Sequence, residues 1–287
     1  AAEKYILQFI PHHAIKNYHV GQLIGEMLVD QKLVSKEQLT EVLSTQAGQR
    51  DALLTKDGWD LGGQTATYHY EEPDFAKLTG ERIGVVGAYT GTDASHFYSR
   101  IDGRISYGSL IYEGSGTQDN NPDWIAEVRA VVGKDYLVSD NVVLSPYVGL
   151  GYRYLFADGR GYTSTGAIGY RRYSRYFYVP VGMTLRMRAG DQWVIAPTVE
   201  YDAFIGGTQV TKLSDTGLGY ADASNKQDDG YGYRVYLMAE NGPWSFGPWL
   251  QYWNIKDSDI VPIGLGLGAL EPANWTREYG LEFRYRF

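Results

Sequence analysis

Arginine and acidic residues recur at alternate positions along several segments of this sequence, on the side opposite the intervening apolar residues. Guanidinium and carboxylate groups enclosed together form ion pairs, and removing one partner strands a buried charge at a cost of about 3–5 kcal/mol. Two interpretations are open: a salt-bridged plug that closes an interior, or a charged path for an ion or small solute. The residues concerned are Arg100, Asp102, Arg104, Glu127, Arg129, Arg153, Arg186, Glu200, Asp202, Arg234, Glu278, Glu282, Arg284 and Arg286.

Histidine is the other residue type that could do chemistry here, because an imidazole beside carboxylates can activate water for hydrolysis. Three of the five histidines lie in the N-terminal segment, without a carboxylate or cysteine at metal-ligand spacing. His69 differs, since Glu71 and Glu72 follow it closely. We therefore keep His69, Glu71 and Glu72 as an alternative catalytic group, beside an ordinary polar role for His69. We predict no metal site and no cofactor.

The elements that would position these residues are β-strands, because apolar and polar side chains alternate with a period of two from Trp59 onward. Phe97, Ile101 and Ile105, for example, share one face, and the charged residues between them share the other. We predict an all-β membrane protein, a ten-stranded antiparallel up-and-down transmembrane β-barrel. Its strands are expected at about 58–70, 81–90, 96–112, 122–133, 142–156, 171–188, 192–206, 230–240, 243–256 and 274–287.

One strand departs from this pattern. The ninth strand has no clear polar face, because Trp249, Leu250, Tyr252 and Trp253 are all apolar.

The connections are predicted to alternate between tight turns and five longer loops, the longest about 23 residues between Gly206 and Gly230. Short periplasmic turns and long extracellular loops are typical of bacterial barrels. An even strand number then places both barrel ends in the periplasm.

The last strand, from Asn274 to Phe287, shows the alternation most strictly. Its aromatic and leucine side chains point one way, and its glutamates and arginines point the other. A membrane barrel turns such an apolar face toward lipid and its polar face toward the lumen. A final strand of alternating aromatics that ends on Phe resembles the assembly signal of bacterial outer-membrane β-barrel proteins. The resemblance implies a location in the outer membrane, in contact with its lipid.

Composition agrees with this class and excludes others. The 25 tyrosines, 7 tryptophans and 35 glycines fit a barrel with aromatic girdles. A net charge of −8 argues against a nucleic-acid binder, which needs a basic surface. No run of 18 apolar residues occurs, so no helical span is expected. The absence of cysteine excludes disulfides and thiolate metal sites.

Residues 1–56 have a different pattern, which predicts a small N-terminal helical module before a barrel domain at 57–287. Ser35 and Gln38 fit a capping box at the start of its second helix. The segment GQLIGEMLVDQKLVSKEQLTEVLSTQ resembles the small helical motif at the N-terminus of type II secretion and pilus ATPases. No glycine-rich phosphate loop is present, so no nucleotide-binding function is carried over. The apolar stripes predicted to contact a partner, or to pack the hairpin itself, are Leu23, Ile24, Met27, Leu39, Val42 and Leu43.

A loop from Asp259 to Leu270 is apolar although it falls on the predicted extracellular side. Exposed apolar patches mark contact sites, which would make Ile263, Leu265 and Leu267 partner-binding residues. The other interpretation is that the loop folds over the barrel mouth and packs on rim aromatics such as Tyr220 or Trp275.

These observations favour a structural role for the chain. We predict an outer-membrane anchor or scaffold with a salt-bridged lumen, whose periplasmic module docks a periplasmic or envelope protein. Two alternatives from other classes stay open: an omptin-like surface hydrolase that uses His69 and nearby carboxylates, and a narrow solute channel.

Overall fold

The computed structural model describes residues 26–287, with the backbone alone for 45–47, 49 and 50. The chain divides into two compact units, Ala1–Ala52 and Leu53–Phe287. In the described part of the first unit, residues 26–30 are helical and helix α1 spans Lys36–Asp51. The predicted capping box is confirmed: Gln38 N donates to Ser35 Oγ at 3.1 Å, and Ser35 N donates to Gln38 Oε1 at 2.9 Å. No helix among residues 26–287 is long and apolar enough to cross a membrane.

Ten strands of the second unit form a closed antiparallel barrel, which confirms the predicted fold. Each strand pairs with the next along the chain, and the last one returns to pair with the first, with Tyr68 opposite Glu278. Closure leaves no free sheet edge in the ring, as a membrane span requires. The strands are β1 Gly58–Glu72, β2 Ala76–Thr92, β3 Phe97–Gly114, β4 Gly116–Lys134, β6 Val142–Tyr162, β7 Ile168–Ala189, β8 Trp193–Thr211, β10 Gly230–Asn241, β11 Trp244–Ile255 and β14 Asn274–Arg286.

Short elements lie outside this ring. Strand β5 (Tyr136–Ser139) pairs with β6, and β9 (Ala223–Gln227) pairs with β8. Strands β12 (Val261–Gly264) and β13 (Leu267–Ala269) form a separate hairpin, and a 3₁₀ turn covers Leu213–Thr216.

The outer surface of the barrel is apolar and its interior is polar, as the alternation predicts. Ile83, Leu150 and Leu281 are exposed on the outside, whereas Glu127 and Arg234 are buried inside. In water such a surface would be unfavourable, because it leaves large aliphatic side chains hydrated in a continuous band. In a bilayer the same band faces hydrocarbon.

Two clusters of outward aromatic rings border this band. Near the chain ends of the barrel, Trp244 packs on Phe283 and Tyr285; toward the opposite end, Tyr252 stacks near Trp275. Trp275 and Tyr285 are ten residues apart in β14. At ~3.3 Å per residue and a tilt of roughly 40°, that separation spans ~25 Å along the membrane normal. This height matches the apolar band of an outer-membrane barrel.

The two barrel ends differ in their connections. At the end where β1 begins and β14 finishes, here called the terminal end, the four connections are short, as predicted. At the opposite or loop end, the expectation of five longer loops is wrong for three hairpins, of which the β6–β7 hairpin is closed by residues 163–167. Residues 73–75 join β1 to β2, and Ser115 alone joins β3 to β4, because these strands stay paired well beyond their predicted ends. Gly116 permits the second turn with φ of +112°.

Candidate functional site

A fully buried carboxylate lies at the centre of the lumen. Glu278 accepts hydrogen bonds from Arg104 at 2.9 Å and from Arg153 at 3.3 Å, and Arg82 Nη1 lies 3.6 Å away. Arg82 also pairs with Asp123. These five residues come from β14, β3, β6, β2 and β4 respectively. One carboxylate therefore joins strands on different sides of the barrel.

A second cluster is centred on Arg234, which is 2% exposed. Its guanidinium donates to Asp202 at 2.9 Å, to Glu127 at 3.1 Å and to the Tyr178 hydroxyl at 2.7 Å. Glu127 also accepts from Arg104 Nε at 2.8 Å. Arg104 thus belongs to both clusters, and the ion pairs are continuous across the lumen.

The network continues toward the terminal end. Arg129 donates to Asp102 at 2.9 Å and also pairs with Glu200, which in turn lies 2.9 Å from Arg234. Every residue predicted for the lumen charge network lies on the inner face with at least one polar partner. The remaining contacts are Arg100 with Asp60, Arg286 with Asp60, Arg284 with Glu282, and Arg186 with Ser145 and Thr55.

Aromatic rings fill the space between these charges. Trp253 is 1% exposed and packs edge-on against Tyr178, with ring centroids 5.0 Å apart. The guanidinium of Arg153 lies 5.4 Å from the Trp253 ring centroid, and that of Arg104 lies 5.4 Å from the Trp249 ring centroid. The ambiguity of the ninth predicted strand is thereby resolved: its tryptophans 249 and 253 point inward, while Leu250 faces outward. Ion pairs and rings together occupy the middle of the lumen.

Sequence reasoning missed several charged members of this network, three of them on the barrel strands. Asp60, Arg82 and Asp123 are all buried and paired inside the barrel. The signal for them was available in the alternation, because each is adjacent to an outward apolar residue. Asp60 lies between Trp59 and Leu61, and the other two directly precede Ile83 and Trp124.

The terminal end of the lumen is narrowed by residues 53–57, which precede β1. Leu53 is 0% exposed and packs on Val143 and Val194. Thr55 donates from its backbone N to Asp135 at 2.6 Å and from its hydroxyl at 2.9 Å. The cavity left at this mouth is only about 170 Å³. Burial there lowers the pKa of Lys56 below its usual value.

The alternative catalytic group is only partly brought together. His69 Nε2 lies 3.0 Å from Glu71 Oε2, and its ring stacks on Trp275 with centroids 4.6 Å apart. Both residues lie on the outer face of β1. Glu72 points inward instead, where it accepts from the Tyr70 hydroxyl at 2.6 Å, because adjacent strand residues face opposite sides. In residues 26–287, no three His, Asp or Glu side chains converge as a metal site.

Inside the loop end, Glu72 belongs to a different group. Arg172 lies between Glu72, at 2.5 Å, and Glu271, which belongs to the connection before β14. Burial raises the pKa of Glu271 to about 7; Arg172 opposes this shift and Glu72 reinforces it. Elsewhere at this end, hydrogen bonds from Arg171 hold the pKa of Asp215 at about 2. No sequence pattern indicates a role for Glu271, because only the closed barrel brings it to Arg172.

The apolar residues predicted to bind a partner lie in varied environments. Leu23 and Ile24 lie outside the described residues. Met27 and Val42 are exposed, whereas Leu39 and Leu43 are half-buried. In the β12–β13 hairpin, Leu265 and Leu267 are exposed. Ile263 is 8% exposed and its carbonyl accepts from Ala221 N at 2.9 Å, so its side chain is not available for a partner.

Neither a protein-family model nor a curated protein matches this chain. Among solved structures, the chain is similar to the outer membrane protease OmpT from Escherichia coli. The TM-score is 0.55 at 12% sequence identity, over 81% of this chain and 98% of that chain. At this identity the similarity shows the fold alone.

Two autotransporter barrels also resemble this chain, at lower TM-scores. The beta domain of the Bordetella autotransporter Brka gives 0.38 at 13% identity, over 81% of this chain and 100% of that chain. The translocator domain of NalP from Neisseria meningitidis gives 0.35 at 11% identity, over 88% and 98%. Together with the closed ring of ten strands, the similarity to OmpT shows that the chain has the β-barrel fold of bacterial outer-membrane proteins.

Proposed function

We propose that this chain is a non-conducting outer-membrane anchor, whose N-terminal helical module docks a protein of the cell envelope. The observation that carries the proposal is the filled lumen. Glu278 and Glu127 bind arginines from distant strands, and Trp253 packs on Tyr178 and Arg153 beside them. A barrel closed in this way holds a chain in the membrane without opening a path through it. The solute-channel alternative therefore has less support.

The orientation follows from the connections of the barrel. Short turns lie in the periplasm in bacterial barrels and longer connections lie outside the cell. We assign the terminal end to the periplasm, since the two longest connections, residues 212–229 and 256–273, lie at the other end and since the chain enters the barrel at Leu53. Residues 1–56 would then face the periplasm, and the β12–β13 hairpin would face the medium.

The described part of the helical module supports docking through its apolar side chains. Met27, Leu33 and Val42 are large and exposed, although a helical pair of this size usually turns such residues inward. A partner that covers them would gain about 25 cal/mol for each Å² of apolar surface removed from water. The hydrolase alternative has weaker support, because His69 and Glu71 face outward and Glu72 is bound to Arg172 and Tyr70.

Crosslinking in native envelopes tests this proposal with full-length variants. Val42→Asp places a charge on the exposed apolar surface, and Thr40→Asp places the same charge on a nearby exposed polar position as a control. We expect the crosslinked product of the wild-type chain to persist with Thr40→Asp and to disappear with Val42→Asp. A product that both variants form equally, or no product from the wild type, would contradict docking through this surface.

A further inference from the structure

At the loop end, the barrel encloses a cavity of about 420 Å³ that the anchor role does not use. Its walls come from seven barrel strands, β1–β4 and β6–β8, with β9 and the connection before β14. This volume lies in the range of small-molecule sites, which are roughly 300–1,000 Å³. Its lining includes a charged group and a set of apolar and aromatic side chains.

The charged group carries more acid than base. Glu72, Arg172 and Glu271 are the only charged residues among those that line the cavity. Arg172 binds both carboxylates and also donates to the Tyr70 hydroxyl at 3.3 Å. Two carboxylates against one guanidinium leave a net negative charge when both acids are ionised. Glu72 and Glu271 are each more than nine-tenths buried, so this charge is poorly screened by solvent.

A buried acceptor on the cavity wall has no partner. Asn121 is 1% exposed, and its Nδ2 donates to the carbonyls of Leu110 and Gln118 at 3.0 and 2.8 Å. These two bonds fix the amide orientation, because both partners are acceptors. Its Oδ1 lies 4.0 Å from the position that a Cβ would take at Gly159, another residue of the cavity lining, and accepts no hydrogen bond within the described chain. An unpaired buried acceptor favours a ligand that brings a donor.

Much of the remaining cavity lining is apolar or aromatic. Phe75, Leu78 and Leu270 are part of it, together with the rings of Tyr112 and Tyr170. Aromatic faces attract a cation through their quadrupole as well as packing against an apolar body. The cavity lining thus combines negative charge, an unpaired buried acceptor and aromatic rings.

We propose that this loop-end cavity binds a small amphipathic organic cation, an amine that carries an apolar or aromatic body. The ammonium group would lie beside Glu271 and donate to Asn121 Oδ1, and the body would pack against Phe75 and Leu78. An organic anion fits less well, because Arg172 is already bound by two carboxylates. The inference is independent of the proposed anchor role, since it concerns the other end of the barrel.

Calorimetric titration of the purified full-length chain in detergent tests the proposal with three probes of matched shape. We expect 2-phenylethylamine to bind saturably at one site, and 2-phenylethanol, which lacks the charge, to bind at least about tenfold more weakly. We expect 3-phenylpropionate not to bind. Equal binding of the amine and the alcohol, tighter binding of the acid, or no saturable binding of the amine would overturn the proposal.

Two variants assign the binding to this cavity. Glu271→Gln should weaken amine binding by about tenfold, because the amide keeps the shape and removes the charge. Glu113→Gln is the matched control and should bind like the wild type, since Glu113 pairs with Lys77 on the barrel surface. Phe75→Ala alters an exposed side chain and leaves the barrel interior intact, so it tests the apolar lining if Glu271→Gln misfolds. Wild-type affinity in Phe75→Ala and in any folded Glu271→Gln would overturn the assignment.

Discussion

Replacing Glu278 with glutamine tests the lumen network where three arginines meet. Glu278 accepts from Arg104 at 2.9 and 3.2 Å and from Arg153 at 3.3 Å, and it is 0% exposed. A hydrogen bond to a charged group contributes a net ~1.5–3 kcal/mol. The amide keeps the volume and one acceptor but removes the charge that balances the buried guanidinium groups. We therefore expect the free energy of unfolding to fall by about 3–5 kcal/mol.

Urea unfolding in detergent micelles, followed by tryptophan fluorescence, measures this change. Glu81→Gln is the matched control, because Glu81 is exposed on the outside of the barrel and accepts from Thr67 Oγ1 at 3.0 Å. We expect it to change stability by no more than about 0.5 kcal/mol. If Glu278→Gln also changes the free energy of unfolding by no more than about 0.5 kcal/mol, the buried ion pairs do not stabilise the barrel interior.

A double variant separates charge balance from lost packing. Arg153→Gln removes one of the guanidinium groups that Glu278→Gln leaves unbalanced. The combined variant should cost less than the sum of the two single changes, with a coupling of about 0.5–3 kcal/mol. Additive costs would show that these two residues act independently.

Three further predictions concern the strands, the loop end and the orientation. Gly280→Ala should impair barrel formation, since the added Cβ would overlap the carbonyl oxygen of Thr65. Gly63→Ala is the control, because its Cβ would meet an ordinary contact at 3.6 Å. The band shift of the folded barrel on unheated gels should be lost in the first variant and kept in the second. Burial raises the pKa of Glu271 from 4.5 to about 7, so its contribution to stability is complete below pH 4.5 and is lost as the pH rises through 7. Glu271→Gln should therefore flatten this part of the plot of melting temperature against pH. An unchanged plot would contradict the burial argument. In this cysteine-free chain, Leu265→Cys should react with an impermeant maleimide on intact cells and Val138→Cys only after permeabilisation; the reverse pattern would invert the barrel.

The strand pattern could be predicted from the sequence because a membrane barrel imposes opposite solvents on its two faces. Residues such as Phe97 and Ile101 must face lipid, and Arg100 between them must not, so alternation indicates both the strand and its orientation. The same rule predicted eight of the arginines that enter the lumen, but not Arg82 or Arg172. It did not determine their partners, since pairs such as Arg234 with Glu127 are 107 positions apart and depend on the closed ring.

The loop end could not be predicted in the same way. Beyond the membrane both strand faces meet water or protein, so the alternation of apolar and polar residues weakens. The pattern therefore predicts loops where β1–β4 continue as paired strands. In β11, Trp249 and Trp253 are apolar yet face the lumen, where they pack against arginines and Tyr178. Apolar residues on an inner face carry no periodic signal. The cavity beside Glu271 was missed because its walls come from residues far apart in the chain.

Single-channel recording of the purified wild-type chain in planar bilayers tests the closed lumen most directly. The anchor proposal requires that the arginines bound by Glu278 and Glu127, with Trp253 packed on Tyr178, close the aqueous path through the middle of the span. We expect no steady conductance steps from the inserted barrel, with insertion verified by protease protection of the reconstituted chain. Steady, voltage-independent steps from the wild-type chain would contradict the filled lumen and the anchor role that depends on it.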